Sequence, residues 1–280
     1  MISIAQSNKY SYFKHMKSPW PGVREYVTGL ARSGRYLFSS DEAQVALGVS
    51  ASAAKVALNR LARQGLVSSP ARGYYVVVPP EYHSLGCLPA EEFVPTLMDR
   101  LGLQYYAGLL TAAEHHGAAH QRPQEFQVFL EQPRRPLVCG RVRVAFITRK
   151  RLKDVPVQSL NTPRGTLLIS TPEATALDLV GYQHRAGGLN QVATVLAELS
   201  GQLDADKLVA VAATAPPAWS QRLGFLLERV GAAEKAAPLK AWVRSHARDA
   251  AVLLPDAHRH DAERDREWKL YLNTSVEPEL

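Results

Sequence analysis

The sequence predicts an α+β protein of two domains, and three observations carry that reading. Residues 39–65 pattern as two short helices joined by a tight glycine turn. The runs FQVFL (126–130), RVRVAFI (141–147) and GTLLIS (165–170) pattern as strands, and the chain after Pro172 is largely helical in its periodicity. The basic excess is confined to the first third: residues 1–82 hold ten Lys and Arg against four Asp and Glu, while the remainder holds 23 against 22. At 280 residues the chain is long enough for two cores. We place the first domain at residues 1–80 and the second at 90–280, joined by the proline- and glycine-punctuated stretch 79–89, PPEYHSLGCLP.

The first domain opens with Val23, Val27 and Leu30 on one face of a helix running from Pro21 to Ser33. SSDEAQVALG follows, in which Ser39 has the N-cap position and Glu42, three residues on, completes a capping-box spacing with Asp41 in the first turn. Gly48 supplies the residue that leaves this helix with positive φ. After a three-residue turn, Ser50 caps a second helix whose buried stripe is Ala54, Ala57, Leu58 and Leu61 and which closes at Gly65. LVSSPARGYYVVVP then predicts a β-hairpin around SSPARG with Arg72 at its tip. Three helices and a hairpin in this order predict a winged helix-turn-helix.

The face opposite the buried stripe carries Ser52, Lys55, Val56, Asn59, Arg60 and Arg63, too polar to bury and rich in donors. A DNA major groove admits one helix and displays acceptors that Lys, Arg and Asn read, while Arg72 would reach phosphate or the minor groove. Ser52, Lys55, Asn59, Arg60, Arg63 and Arg72 are therefore the candidate DNA-binding residues. The bland alternatives are that the charged face is simply solvated, that the module is a protein adaptor, and that Arg63 only complements its helix's C-terminal dipole.

The second domain predicts a mixed α/β arrangement, a sheet followed by helices. RVRVAFI alternates Val142, Val144 and Phe146 with Arg141, Arg143 and Ala145, which predicts a half-buried strand with two arginines on an open face. Thr171, Pro172 and Glu173 form a strong helix start after GTLLIS. Leu189, Val192 and Leu196 mark another helix, Leu208 and Val211 a third, and WSQRLGFLLERVG a fourth with Trp219, Leu223, Leu227 and Val230 inward.

Catalytic signatures are weak. His115, His116 and His120 lack the HExxH spacing of a zinc enzyme and read as polar loop histidines, and neither GxSxG nor a phosphate-binding glycine loop occurs. Glu125, Glu131 and Asp178 would suit a nuclease-like, nucleic-acid-processing domain, the alternative reading, but no acid-x-lysine triplet accompanies them. RHDAERDREWK reads as a solvated helical face. Cys87 and Cys139 have neither disulfide nor zinc spacing and read as small buried hydrophobes. No catalytic residue, cofactor or metal is expected. Neither a membrane span nor a signal peptide is visible, so a cytoplasmic location is expected.

Taken in order, RGYYVVVP, QYYAGLLTAAEHHGAAHQRP, ISTPEATALDLV and WSQRLGFLLERVG resemble the AbiEi family of antitoxins from bacterial type IV toxin-antitoxin, or abortive-infection, loci. The likeness runs from about Gly34 to WKLYLN and leaves the aromatic YSYF of residues 10–13 outside it. The resemblance implies a non-enzymatic protein with two tasks. The winged helix would repress its own operon at inverted repeats in the promoter, and the C-terminal domain would counteract a nucleotidyltransferase toxin of the AbiEii type, with or without a stable complex.

Overall fold

A computed structural model describes residues 20–118 and 123–278. It is a mixed α+β protein with several sheets and, among the described residues, ten α-helices. Packing divides it into two compact units. The first takes the described residues up to Gly102 together with Pro136–Val144 and Thr162–Gly165; the second takes the rest.

In the first unit, α1 (Val23–Arg32), β1 (Leu37–Ser39), α2 (Ser40–Leu47), α3 (Ala51–Arg63), β2 (Val67–Ala71) and β3 (Tyr74–Val77) follow one another. The three strands form an antiparallel sheet in the order β1-β3-β2, with Leu37 opposite Val76 and Val67 opposite Val77. The register shifts between Ser68 and Ala71, at Pro70, where a strand proline is tolerated because the ladder is already broken. Tyr26, Val27 and Leu30 of α1, Ala43 of α2, and Leu58 and Leu61 of α3 close over Phe38, Val67, Tyr75 and Val77. Phe38 meets Tyr26 edge-on and stacks on Tyr75.

The stretch 79–89 was expected to separate the domains, but it lies inside the first unit. Its prolines instead start a 3-10 turn at Pro80–Tyr82. Beyond it α4 (Ala90–Arg100), absent from the sequence reading, buries Phe93, Val94, Leu97 and Met98 and packs near β1. The interior Pro95 disguised this helix, because an isolated proline normally reads as a breaker.

The second unit begins with β4 (Tyr106–Ala107), α5 (Leu109–His115) and β5 (Phe126–Leu130). β6 (Leu137–Cys139) and the start of β7 (Val142–Thr148) form a hairpin belonging to the first unit, and the end of β7 lies in the second. β7 departs from the expected alternation. Val142 and Arg143 keep it, but Val144, Ala145, Phe146 and Ile147 are all buried, so both faces of the strand are covered there. Arg141 and Arg143 remain exposed. After β8 (Val157–Thr162) and β9 (Gly165–Ser170), β5, β4, β9 and β8 lie side by side, with Ala107 paired in parallel to Ile169.

Helices α6 (Pro172–Gly181), α7 (Leu189–Leu199), α8 (Ala205–Ala212), α9 (Pro217–Arg229) and α10 (Ala233–His246) follow. Thr171 caps α6 by accepting the Ala174 N–H, with Pro172 at the first turn, as expected. Residues 173–180 of α6 are all buried, as are 220–227 of α9; helices covered on every side are core elements. α10 was not expected, since Pro238 interrupts its pattern, yet Ala236, Leu239 and Val243 are fully buried. The chain ends in a small sheet of β10 (Ala251–Val252), β11 (Glu263–Asp265) and β12 (Leu270–Leu272), in the order β10-β12-β11. RHDAERDREWK is therefore not helical: its acids and bases lie in the turn before β11, on β11 and in the turn before β12, anchored by Trp268, whose buried indole donates to Glu228 at 2.8 Å.

Candidate nucleic-acid interface

The α2–turn–α3 element is set by two caps and a glycine. Ser39 Oγ accepts the Glu42 N–H at 3.1 Å while Glu42 accepts the Ser39 N–H at 2.7 Å, so two orphan donors at the start of α2 are satisfied reciprocally. Gly48 ends α2 at φ 64°, and Ser50 starts α3 by accepting the Ala53 N–H at 3.2 Å. Burial pushes the Glu42 carboxyl up, but the Ser39 N–H and the Arg100 and Arg35 guanidiniums outweigh it and hold the group below the usual range. Arg35 and Arg100 are thereby committed to Glu42, at 2.8 and 3.0 Å.

The opposite face of α3 is different. Ser52, Lys55, Val56, Asn59, Arg60 and Arg63 are all exposed, and Ala54, Leu58 and Leu61 are buried beneath them, with Ala57 half-buried. Among the described residues no carboxylate pairs with Lys55, Arg60, Arg63 or Arg72 within ion-pair distance. The first turn of α3 holds no acid, whereas α2 holds Asp41 and Glu42 there, so the partial positive charge at the α3 N-terminus is uncompensated. Arg72 is exposed between β2 and β3, beside Gly73 at φ 81°. Sequence reasoning singled out Val56 but missed Val45 and Val49, which keep 68% and 39% of their surface on α2 and the turn against 70% for Val56. Their only sequence signal is that they lie off the buried stripe.

In the second unit the structure scatters the acids considered for nuclease chemistry. Glu125 and Glu131 are exposed at opposite ends of β5, while Asp178 is fully buried in α6. Asp178 instead accepts from Arg149 and from the Tyr106 phenol, and Arg149 also donates to Thr214 and lies over the Trp219 ring. His116 is not a loop histidine: it is buried at the end of α5, with Nε2 2.8 Å from the Ser170 carbonyl, and burial pulls its pKa down. His115 is exposed, and His120 lies outside the described residues. Among the described residues no group of three or more His, Cys, Asp and Glu is placed to hold a metal ion, and no helix is long and apolar enough to cross a membrane.

The fold and the exposed faces define a two-unit α+β protein with one basic helix face in its first unit and a polar-centred, helix-rich second unit. Residues 106–229 match the family model of the AbiEi antitoxin C-terminal domain. No curated protein matches the sequence. Among solved structures, the chain is similar to the crystal structure of the RV2827C protein from Mycobacterium tuberculosis, at 18% identity and a TM-score of 0.61 over 88% of this chain and 89% of that one. At that identity the likeness is one of fold. Between Tyr106 and Arg229 only Pro136–Val144 and Thr162–Gly165 fall outside the second unit, so the matched segment lies largely in that unit.

Proposed function

We propose that the protein is a non-enzymatic AbiEi-type antitoxin of a type IV toxin-antitoxin system that also represses its own operon. In this reading residues 20–80 are a winged helix-turn-helix, α3 enters the major groove at inverted repeats in the promoter, and the β2–β3 hairpin is the wing. The observation that carries the reading is the α3 face: four side chains able to donate to bases or phosphates, Lys55, Asn59, Arg60 and Arg63, exposed together on a helix with an acid-free N-terminus. Ser52 stands at that N-terminus, 3.0 Å from Ser50, where a hydroxyl and the first backbone N–H groups would meet a phosphate. Arg72 would contact backbone beside the wing. Val45, Val49 and Val56 add apolar contacts of the kind that thymine methyls accept. The second unit, which holds most of the matched segment, would counteract a nucleotidyltransferase toxin of the AbiEii type.

The test replaces Lys55 and Arg60 by alanine together. Both are exposed, so the fold is retained while each lost base contact costs about 1–3 kcal/mol of promoter affinity. A double variant that binds the promoter as tightly as the parent contradicts the assignment of α3. Co-expression of the full-length double variant with a nucleotidyltransferase toxin of the AbiEii type tests the second task separately: rescue that survives the loss of promoter binding supports it, and no rescue by parent or variant contradicts it.

A further inference from the structure

Cys87 and Cys139 are the chain's two cysteines, and no spacing relates them. The first unit nevertheless brings their sulfurs to 2.8 Å across 52 positions of sequence, with both side chains buried. The approach is built by the backbone. Arg141 N–H donates to the Leu85 carbonyl at 2.7 Å, and Gly86 and Gly140, both at positive φ, press against each other so closely that a Cβ on Gly140 would overlap the Leu85–Gly86 peptide. A Cβ on Gly86 would in turn lie only 3.2 Å from the Gly140 Cα, on a left-handed backbone that favours glycine, so the segments carrying the two thiols are held closely together.

We infer that Cys87 and Cys139 are a reversible disulfide site, oxidised by a small peroxide. A disulfide S–S bond is about 2.05 Å long, so closing it takes less than about 1 Å of sulfur movement. Cys139 is the attacking thiol. The Cys87 S–H donates to its sulfur and Ser68 Oγ lies 3.0 Å away, which holds Cys139 below the ordinary thiol range and Cys87 above it. The Cys139 thiolate attacks one peroxide oxygen, the O–O bond breaks, and hydroxide leaves to take a proton, giving a sulfenic acid. Cys87 then attacks that sulfur as its proton passes to the departing hydroxide, forming the S–S bond and a second water. Two thiols lose two electrons and two protons in all, and one hydrogen peroxide becomes two waters. Hydrogen peroxide is small enough to reach a buried thiol through the local opening that folded proteins undergo, and the resulting bond ties the β6–β7 hairpin to the segment leading into α4.

The experiment treats the full-length parent with equimolar hydrogen peroxide, then counts thiols in denaturant and measures intact mass. The expected result is two thiols falling to none, with the loss of two hydrogens from a monomeric chain, reversal by dithiothreitol, and a melting midpoint raised by a few degrees. Cys87→Ser retains Cys139, which then gains oxygen instead of forming the internal bond. Retention of both thiols in the parent overturns the inference, and so does oxidation that yields only disulfide-linked dimers or oxygenated monomers. Neither outcome depends on DNA binding, so the result stands apart from the proposed function.

Discussion

The phenol of Tyr106, on β4, donates to Asp178 Oδ2 of α6 at 2.8 Å, and both groups are buried. With Arg149 on the other carboxylate oxygen, this ties the sheet of the second unit to its central helix. The arrangement is costly in isolation. Burial pushes the Asp178 carboxyl up to about 6 despite the Arg149 charge and both hydrogen bonds.

That displacement makes stability depend on pH. Between the ordinary 3.8 and about 6 the folded protein holds a proton at Asp178 that the unfolded chain releases, so the contribution is largest below that window and falls as pH rises through it. Asp178→Asn removes the titration. Denaturant unfolding of both proteins at pH 4 and pH 7 should show the parent's advantage over the variant smaller at pH 7, by up to about 3 kcal/mol. An advantage that grows with pH contradicts the raised carboxyl.

A second prediction concerns the close packing of α9. A methyl group at Gly224 would overlap the buried Trp268 ring, whose indole is also fixed by Glu228. Gly224→Ala should cost about 1–3 kcal/mol or more in chemical unfolding. An unchanged midpoint would mean that Trp268 does not pack against α9.

The capping box of α2 gives a third. Ser39→Ala leaves the Glu42 N–H without its acceptor and should destabilise the first unit by about 1 kcal/mol. Hydrogen exchange would show faster opening in the first turn of α2, and unchanged protection there would contradict the cap's role.

Arg72 separates positioning from reading. If it meets phosphate, Arg72→Ala should weaken binding to promoter and unrelated DNA alike and lower the salt slope by about one. A loss confined to the promoter would instead make it a base-reading side chain.

The legible parts of the fold are those specified locally. The Ser39–Glu42 box, Gly48, Ser50 and the Thr171–Pro172 start each satisfy helix ends with neighbouring residues, and each was readable from a few positions. Where tertiary packing overrides the local pattern, the reading failed. Pro95 and Pro238 sit inside helices held by buried neighbours, Ala145 is covered on what looked like an open strand face, and the charged run at 259–269 makes a strand and turn because Trp268 anchors it. The exposed α3 face followed from helical spacing alone. The Tyr106–Asp178–Arg149 centre and the Cys87–Cys139 contact join residues 29 to 72 positions apart, distances at which no periodicity relates side chains.

The most direct measurement is a titration of the purified protein against a labelled fragment of its own promoter and against unrelated DNA of equal length, at two salt concentrations. Preferential binding to the promoter that weakens steeply with salt is the expected result. Equal, weak binding to both fragments would contradict it, reducing the α3 face to nonspecific charge.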